Sequence, residues 1–388
     1  MSAPQPFGSS YSYVPELDGL RAVSIAIVML SHWGLGRLVP GGFGVTLFFG
    51  ISGFIITRLL LAERQSKGRI DFAGFYLRRA LRLYPALLAF VVLGGGALVA
   101  AGGSLRPWPL LGSLFYGMNF ERIWLDEGSG LASFPHPFNI LWSLAIEEHF
   151  YLVFPLFLVL ALRGGRFLAW AGLAIGASLG WRLALRLGCA PGGLWDGNLA
   201  LCGLDLEGRI YMGTDTRLDA MLYGCALAAL AARPPARWVT ALLRHPATAV
   251  LAGALVLASL AYREPVFRDT WRYSVQSLAI LLGLGSLLFS PGLGWLRGLL
   301  RRPVLLLLGR MSYVLYLTHW LALGVACFWT GLPLREAPYP PEWYAIALPL
   351  TALLAAVFYW GVEKPVARMR HRLRPQGVAG VAQASPVT

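Results

Sequence analysis

Arg21 and His32 stand eleven residues apart in an otherwise apolar stretch, GLRAVSIAIVMLSHWG. Eleven residues is close to three helical turns, so both side chains project to one face, ~16 Å apart along the axis. A charge and an imidazole on one stripe of an apolar helix are costly in lipid. Such residues face a protein interior or a wet cavity and mark a candidate functional site. Histidine titrates near neutrality, so His32 can take a proton from an alcohol and return it. On these residues alone a structural histidine bonded to a backbone carbonyl is equally open.

Three further constellations carry chemistry. In the run Asn139 to Tyr151, Glu147 and Glu148 fall about ten residues inside an apolar segment, and Ser143, Glu147 and Tyr151 share one face. A buried carboxylate there can orient a histidine or relay its proton, or pair with an intramembrane arginine such as Arg182 or Arg217. In the run Phe75 to Pro85, Arg78, Arg79 and Arg82 lie on one helical turn. That cluster suits a phosphate-rich ligand, or anchoring on lipid phosphates. Two last segments, Thr214 to Asp219 and Gly309 to His319, put Arg217, Asp219, Ser312, Tyr316 and His319 at the ends of spans or inside them. Arg217 and Asp219 can pair. Ser312, Tyr316 and His319 lie along one helical side and can line a cavity, so they are substrate-binding candidates together with Tyr151, Arg217 and Asp219.

The elements that must position these residues are membrane helices. The chain of 388 residues is 57% hydrophobic and only 13% charged, and its apolar residues come in long runs, too apolar for a soluble domain. The formal charge of +14 suggests nucleic acid at first sight. The distribution argues otherwise: the arginines gather in alternate connections, as the positive-inside rule requires. Candidate spans are 17–35, 43–62, 83–102, 139–162, 167–187, 212–232, 246–262, 271–290, 304–328 and 343–362. The expected fold is therefore an all-α polytopic membrane protein with about ten spans. Every basic connection lands on one side if 107–120 is a re-entrant or interfacial helix. Both termini are then cytoplasmic. No soluble domain is expected. Residues 1–365 read as one membrane domain and 366–388 as a basic, disordered cytoplasmic tail. The first apolar run lacks a small-residue cleavage site and reads as a retained helix.

Four cysteines are too few for a disulfide framework. Cys225 and Cys327 read as packing residues. Cys189 and Cys202 share one predicted outer loop, where a disulfide and two free thiols are both open. The glycines between Gly41 and Gly53 allow close helix packing or passage of a thin ligand. There is no P-loop, no dinucleotide-binding glycine set and no zinc spacing, so no metal is expected.

Taken together these residues resemble the acyltransferase-3 family, the OafA-like membrane enzymes that O-acylate bacterial surface glycans. The opening Pro15-Glu-Leu-Asp-Gly-Leu-Arg-Ala-Val, followed by His32, looks like that family's arginine and histidine separated by ten residues. The runs from Gly42, Arg78, Trp142, Thr216, Ser312 and Val362 follow in the family's order. The resemblance covers nearly the whole chain. It implies acyl-CoA, usually acetyl-CoA, as a co-substrate rather than a bound cofactor. The implied acceptor is a hydroxyl-bearing glycan or lipid-linked sugar, at the bacterial inner membrane. It implies His32 as the catalytic base, with Glu147 or Glu148 orienting it. Arg21, Arg78, Arg79 and Arg82 become candidates for the donor site. Ile140 and Leu141 depart from the histidine many members carry just before Trp-Ser-Leu, and His149 replaces a common glutamine. The alternatives are a proton-coupled transporter or glycan-lipid flippase using the same buried charges, and an enzyme that acylates a small molecule such as a macrolide. The absence of internal repeats weighs against the transporter.

Overall fold

The computed structural model describes residues 13–372 apart from 129, 132, 234, 235 and 336. The predicted tail therefore lies outside the described residues from 373 onward, and its first part, 366–372, is helical.

Ten main helices follow the predicted segments: α1 (Pro15–Leu30), α2 (Gly41–Lys67), α3 (Phe72–Ala100), α4 (Trp142–Arg163), α5 (Phe167–Gly188), α6 (Asp219–Ala232), α7 (Ala247–Ala261), α8 (Trp271–Phe289), α9 (Ser312–Thr330) and α10 (Pro341–Phe358). The sequence dictates their ends locally. The Asp71 carboxylate caps α3 by accepting from the Gly74 amide at 2.9 Å. Gly331, at φ 68°, closes α9 in the left-handed conformation.

Seven helices among the described residues are long and apolar enough to cross a bilayer: α2, α3, α4 with the turn before it, α5, α8, α9 and α10 with its extension. An eighth is reached if α7 counts with Arg237–Arg244, to which it is bent by 75°. The two remaining predicted spans are shorter. At 1.5 Å per residue α1 covers roughly 24 Å and α6 roughly 21 Å. The chain is thus a multi-pass membrane protein of seven or eight full-length spans, with two short helices among them. The segment expected to be re-entrant or interfacial folds as Pro107–Leu114 and Met118–Trp124. Each is far too short to cross. A two-stranded antiparallel hairpin, Gly130–Leu131 against Phe134–Pro135, is the sheet among the described residues.

Apolar surface marks the lipid side. Leu152, Val153, Leu156 and Leu160 stay exposed on α4, while Phe150, Phe154 and Leu158 on its other side are buried. With lipid as apolar as leucine, association depends on close packing rather than hydrophobic burial. The α2–α6 contact shows how: a Cβ at Gly53 would overlap the Met221 carbonyl, and one at Gly224 the Gly50 carbonyl. These glycines of the second span serve helix packing. The disulfide left open by the sequence is formed, between Cys189 and Cys202. Cys225 and Cys327 are buried free thiols.

Candidate functional site

His32 does not continue α1. The α-helix stops at Leu30, and Ser31–Leu35 form a π turn with Trp33 at ψ 35° and Gly34 at φ 86°. Only glycine fits position 34, since a Cβ there would also strike the Ala337 carbonyl. The Tyr344 hydroxyl donates to the Trp33 carbonyl at 2.9 Å and pins the turn. Single π turns inside helices recur at functional sites because they re-aim one side chain. Here the side chain is His32. Its Nδ1 lies 2.9 Å from Nε2 of His319 on α9. Trp320 packs edge-on against the His32 ring at 4.9 Å. His319 is completely buried, while His32 is only partly covered.

A hydroxyl chain lies beside the pair. Tyr316, one helical turn before His319, donates to the Ile140 carbonyl at 2.8 Å. Its single proton is then spent, so the 2.7 Å contact with Ser143 has the serine donating. Trp142 packs on Tyr211 at 4.7 Å, and Tyr211 lies beside Gly42 and beneath the Arg217 guanidinium. Arg217 is fully buried. It stacks on Tyr273 at 4.0 Å and donates to Thr46 at 2.9 Å, while its Nε and Nη1 have no hydrogen-bond partner.

The two glutamates divide their roles. Ser52 donates to Glu147 at 3.1 Å, and Arg21 stands within electrostatic range of that carboxylate. Glu148 pairs with Arg79 at 2.8 Å. The same guanidinium lies 3.6 Å over the ring of Tyr151. Arg78 contacts Glu63 at 3.4 Å, a carboxylate it shares with Lys67. Arg82 also has an interaction within the fold.

An imidazole pair at a helix break, one ring buried and the other partly open, flanked by ordered hydroxyls, is suited to moving a proton between oxygen atoms or between oxygen and sulfur. Residues 14–360 match the acyltransferase-3 family, described as an acyltransferase domain. The chain belongs to that family. Among its relatives, SACOL0978 of Staphylococcus aureus strain COL, provisionally named an O-acetyltransferase, is 30% identical over 91% of this chain and 57% of its own length. The peptidoglycan O-acetyltransferase OatA of Listeria monocytogenes is 29% identical over 92% of this chain and 56% of its own. YrhL of Bacillus subtilis strain 168, provisionally named a peptidoglycan O-acetyltransferase, is 30% identical over 92% and 55%. The chain thus spans little more than half the length of these relatives. No solved structure gives a significant match.

Against this acyltransferase-3 framework the expected residues separate into groups. His32, His319 and Tyr316 come together. Glu147 lies within electrostatic range of Arg21 and of Tyr316, and Arg79, Glu148 and Tyr151 form a second cluster. Neither glutamate hydrogen-bonds to His32 among the described residues; His319 does. Ser312 begins α9 seven residues before His319, roughly 10 Å along the axis, with its hydroxyl buried and unbonded. The partner of Asp219 is Arg182, at 2.9 and 2.8 Å in a two-pronged pair with both side chains wholly buried. Arg217 does not take that place. Sequence reasoning missed Ser52 and the His32–His319 contact. The only signal for the latter was a second intramembrane histidine.

Proposed function

We propose that the chain is an integral-membrane O-acetyltransferase that moves an acetyl group from acetyl-CoA to a hydroxyl of an exported glycan. The observation that carries this reading is His32: a partly accessible imidazole, aimed by a π turn and backed by a buried histidine, in a chain of this family. The peptidoglycan O-acetyltransferase names of two relatives favour an amino-sugar glycan as acceptor. The arginine-rich connections favour cytoplasmic termini in an inner membrane, with the donor entering from the cytoplasm.

In the proposed step His32 takes the proton of the acceptor hydroxyl as its oxygen attacks the thioester carbonyl carbon. The carbon–sulfur bond then breaks, and the proton returns from His32 to the departing thiolate, giving the acetyl ester and free CoA. The resident pairing of Arg79 with Glu148 and Tyr151 makes Arg79 an internal anchor. Arg78 and Arg82 remain the stronger candidates for the donor phosphates, with Arg21 nearer the carboxylate Glu147.

The test uses detergent-solubilised full-length protein, labelled acetyl-CoA and soluble peptidoglycan fragments. An enzyme makes ester without a sealed vesicle. His32→Ala should lower the rate by about 10²–10⁴, the usual loss on removing a general base, in protein that still elutes as a folded species. Near-normal turnover by His32→Ala would remove the catalytic role. Vesicle-dependent acceptor movement with no ester formed would favour a transporter instead.

A further inference from the structure

The hydrogen positions at the histidine pair follow from counting donors and acceptors. His319 Nδ1 lies 3.0 Å from the carbonyl oxygen of Leu315, one turn back on α9. A carbonyl only accepts, so this nitrogen carries the hydrogen. A neutral imidazole has one N–H, which leaves His319 Nε2 with a bare lone pair. That lone pair faces His32 Nδ1 at 2.9 Å. Two lone pairs at this distance repel, so His32 Nδ1 must donate. Its own single hydrogen is then used, and His32 Nε2 is left bare. We infer that His319 is a positioning residue, which locks His32 into the Nδ1–H tautomer so that Nε2 is the basic atom offered to the acceptor hydroxyl. This inference rests on the reading of His32 as the base.

Three observations favour it. The two rings lie within 1° of parallel, with centroids 5.3 Å apart. That separation matches the 2.9 Å bond plus one ring radius on each side. The rings are therefore joined edge to edge in one plane, the direction in which an imidazole N–H and lone pair both point. Second, the pair is ordered by depth: His319 is sealed from solvent and His32 is not, so substrate meets only His32. Third, a charged His319 would donate through both nitrogens and reverse the tautomer. Among the described residues neither ring hydrogen-bonds to a carboxylate; Glu147 accepts from Ser52 and Glu148 from Arg79. An isolated charge at that depth has nothing to balance it. The backbone of α9 thus sets a proton arrangement that Leu315, a residue with no polar side chain, begins.

The direct test needs no substrate, so it separates this inference from the acetyl-transfer reading. The chain has six histidines. Full-length protein labelled with nitrogen-15 at histidine, in detergent or lipid, gives ring resonances whose shifts distinguish N–H from bare nitrogen. The signals lost in His32→Gln belong to His32. At neutral pH its Nδ1 should be protonated and its Nε2 bare. The reverse order overturns the inference whatever the enzyme does. The kinetic test compares two variants. His319→Leu removes the acceptor and should cut kcat about 10²–10⁴-fold, as for loss of the base, with KM for acetyl-CoA unchanged. His319→Gln offers its amide oxygen to the same Nδ1–H and should restore most of kcat and the wild-type tautomer. Full activity in His319→Leu, or a Gln variant as dead as Leu with the tautomer intact, overturns the positioning role.

Discussion

Asp219 separates a structural from a substrate-binding reading of the Thr214–Asp219 segment. Its two carboxylate oxygens accept from Arg182 at 2.9 and 2.8 Å, and Ser274 adds a 3.2 Å bond. Both ionic side chains are 0% exposed, so solvent screening gives no relief. Asp219→Ala leaves the Arg182 cation buried without its counter-charge, hydrogen-bonded to the Thr216 carbonyl and the Ser274 hydroxyl and over the Tyr273 ring. Breaking one side of such a pair costs about 3–5 kcal/mol. With an unfolding entropy of about 2.1 cal/mol/K per residue, each kcal/mol is worth roughly 1.2 °C in a chain of this length, so Tm should fall by about 4–6 °C. Membrane helices unfold only in part, which lowers the entropy and enlarges the shift. The assay is thermal unfolding of purified protein in one detergent, followed by tryptophan fluorescence and by size exclusion after heating. Replacing both partners together, Arg182→Met with Asp219→Leu, should recover most of the loss, since a well-packed apolar pair of similar volume is often neutral. An unchanged Tm in Asp219→Ala with a raised acceptor KM would refute the structural role and return Asp219 to the substrate site.

Two other outcomes are expected. Arg82→Lys keeps the charge but loses the planar fork that grips phosphate oxygens, so KM for acetyl-CoA should rise with kcat nearly constant at saturation, the pattern of lost uniform binding; an unchanged KM in Arg82→Lys and Arg78→Lys moves the donor site toward Arg21. The alternation of arginine-rich connections places exposed Ser66 inside and the Cys189–Cys202 loop outside. In intact cells an impermeant maleimide should therefore modify Cys189 after reduction and spare Ser66→Cys, and the opposite pattern reverses the topology.

The fold was legible in the sequence where lipid imposes it. Apolar runs of span length predicted α2, α4, α5, α8 and α10 within a few residues, because a buried backbone in hydrocarbon has few alternatives to a helix, whereas α3 begins at Phe72, well ahead of the predicted 83. The misjudged ends lie where the chain is held by protein rather than by lipid. The run 304–328 reads as one span but breaks at Met311, where Pro303–Arg310 ends and α9 begins. Close contact replaces apolar length as the constraint there: a Cβ at Gly309 would run into the Asp18 carbonyl of α1. The 17–35 run also breaks, at a π turn that depends on Gly34 approaching Ala337, three hundred residues away in the chain. No periodicity within the run can report that contact.

The site was legible residue by residue and not as a set of pairs. Each ionisable residue in an apolar run was marked by its desolvation cost alone, which depends only on its neighbours in sequence. Who satisfies whom depends on how helices pack. Three carboxylates show the difference. Glu147 and Glu148 were open as partners for His32 or an arginine, and Asp219 as a partner for Arg217, yet Ser52, Arg79 and Arg182 take them. What remains for His32 is a neutral imidazole. A carboxylate in that place would stabilise the protonated ring and so hold the proton. A neutral His319 fixes the tautomer without binding the charge as tightly, leaving His32 able to give the proton up again. In the proposed transfer, where the base returns its proton to a thiolate within the same turnover, the second arrangement serves better. Among the described residues Arg79 holds Glu148 and Ser52 holds Glu147, so the side chain bonded to His32 is an imidazole and not a carboxylate.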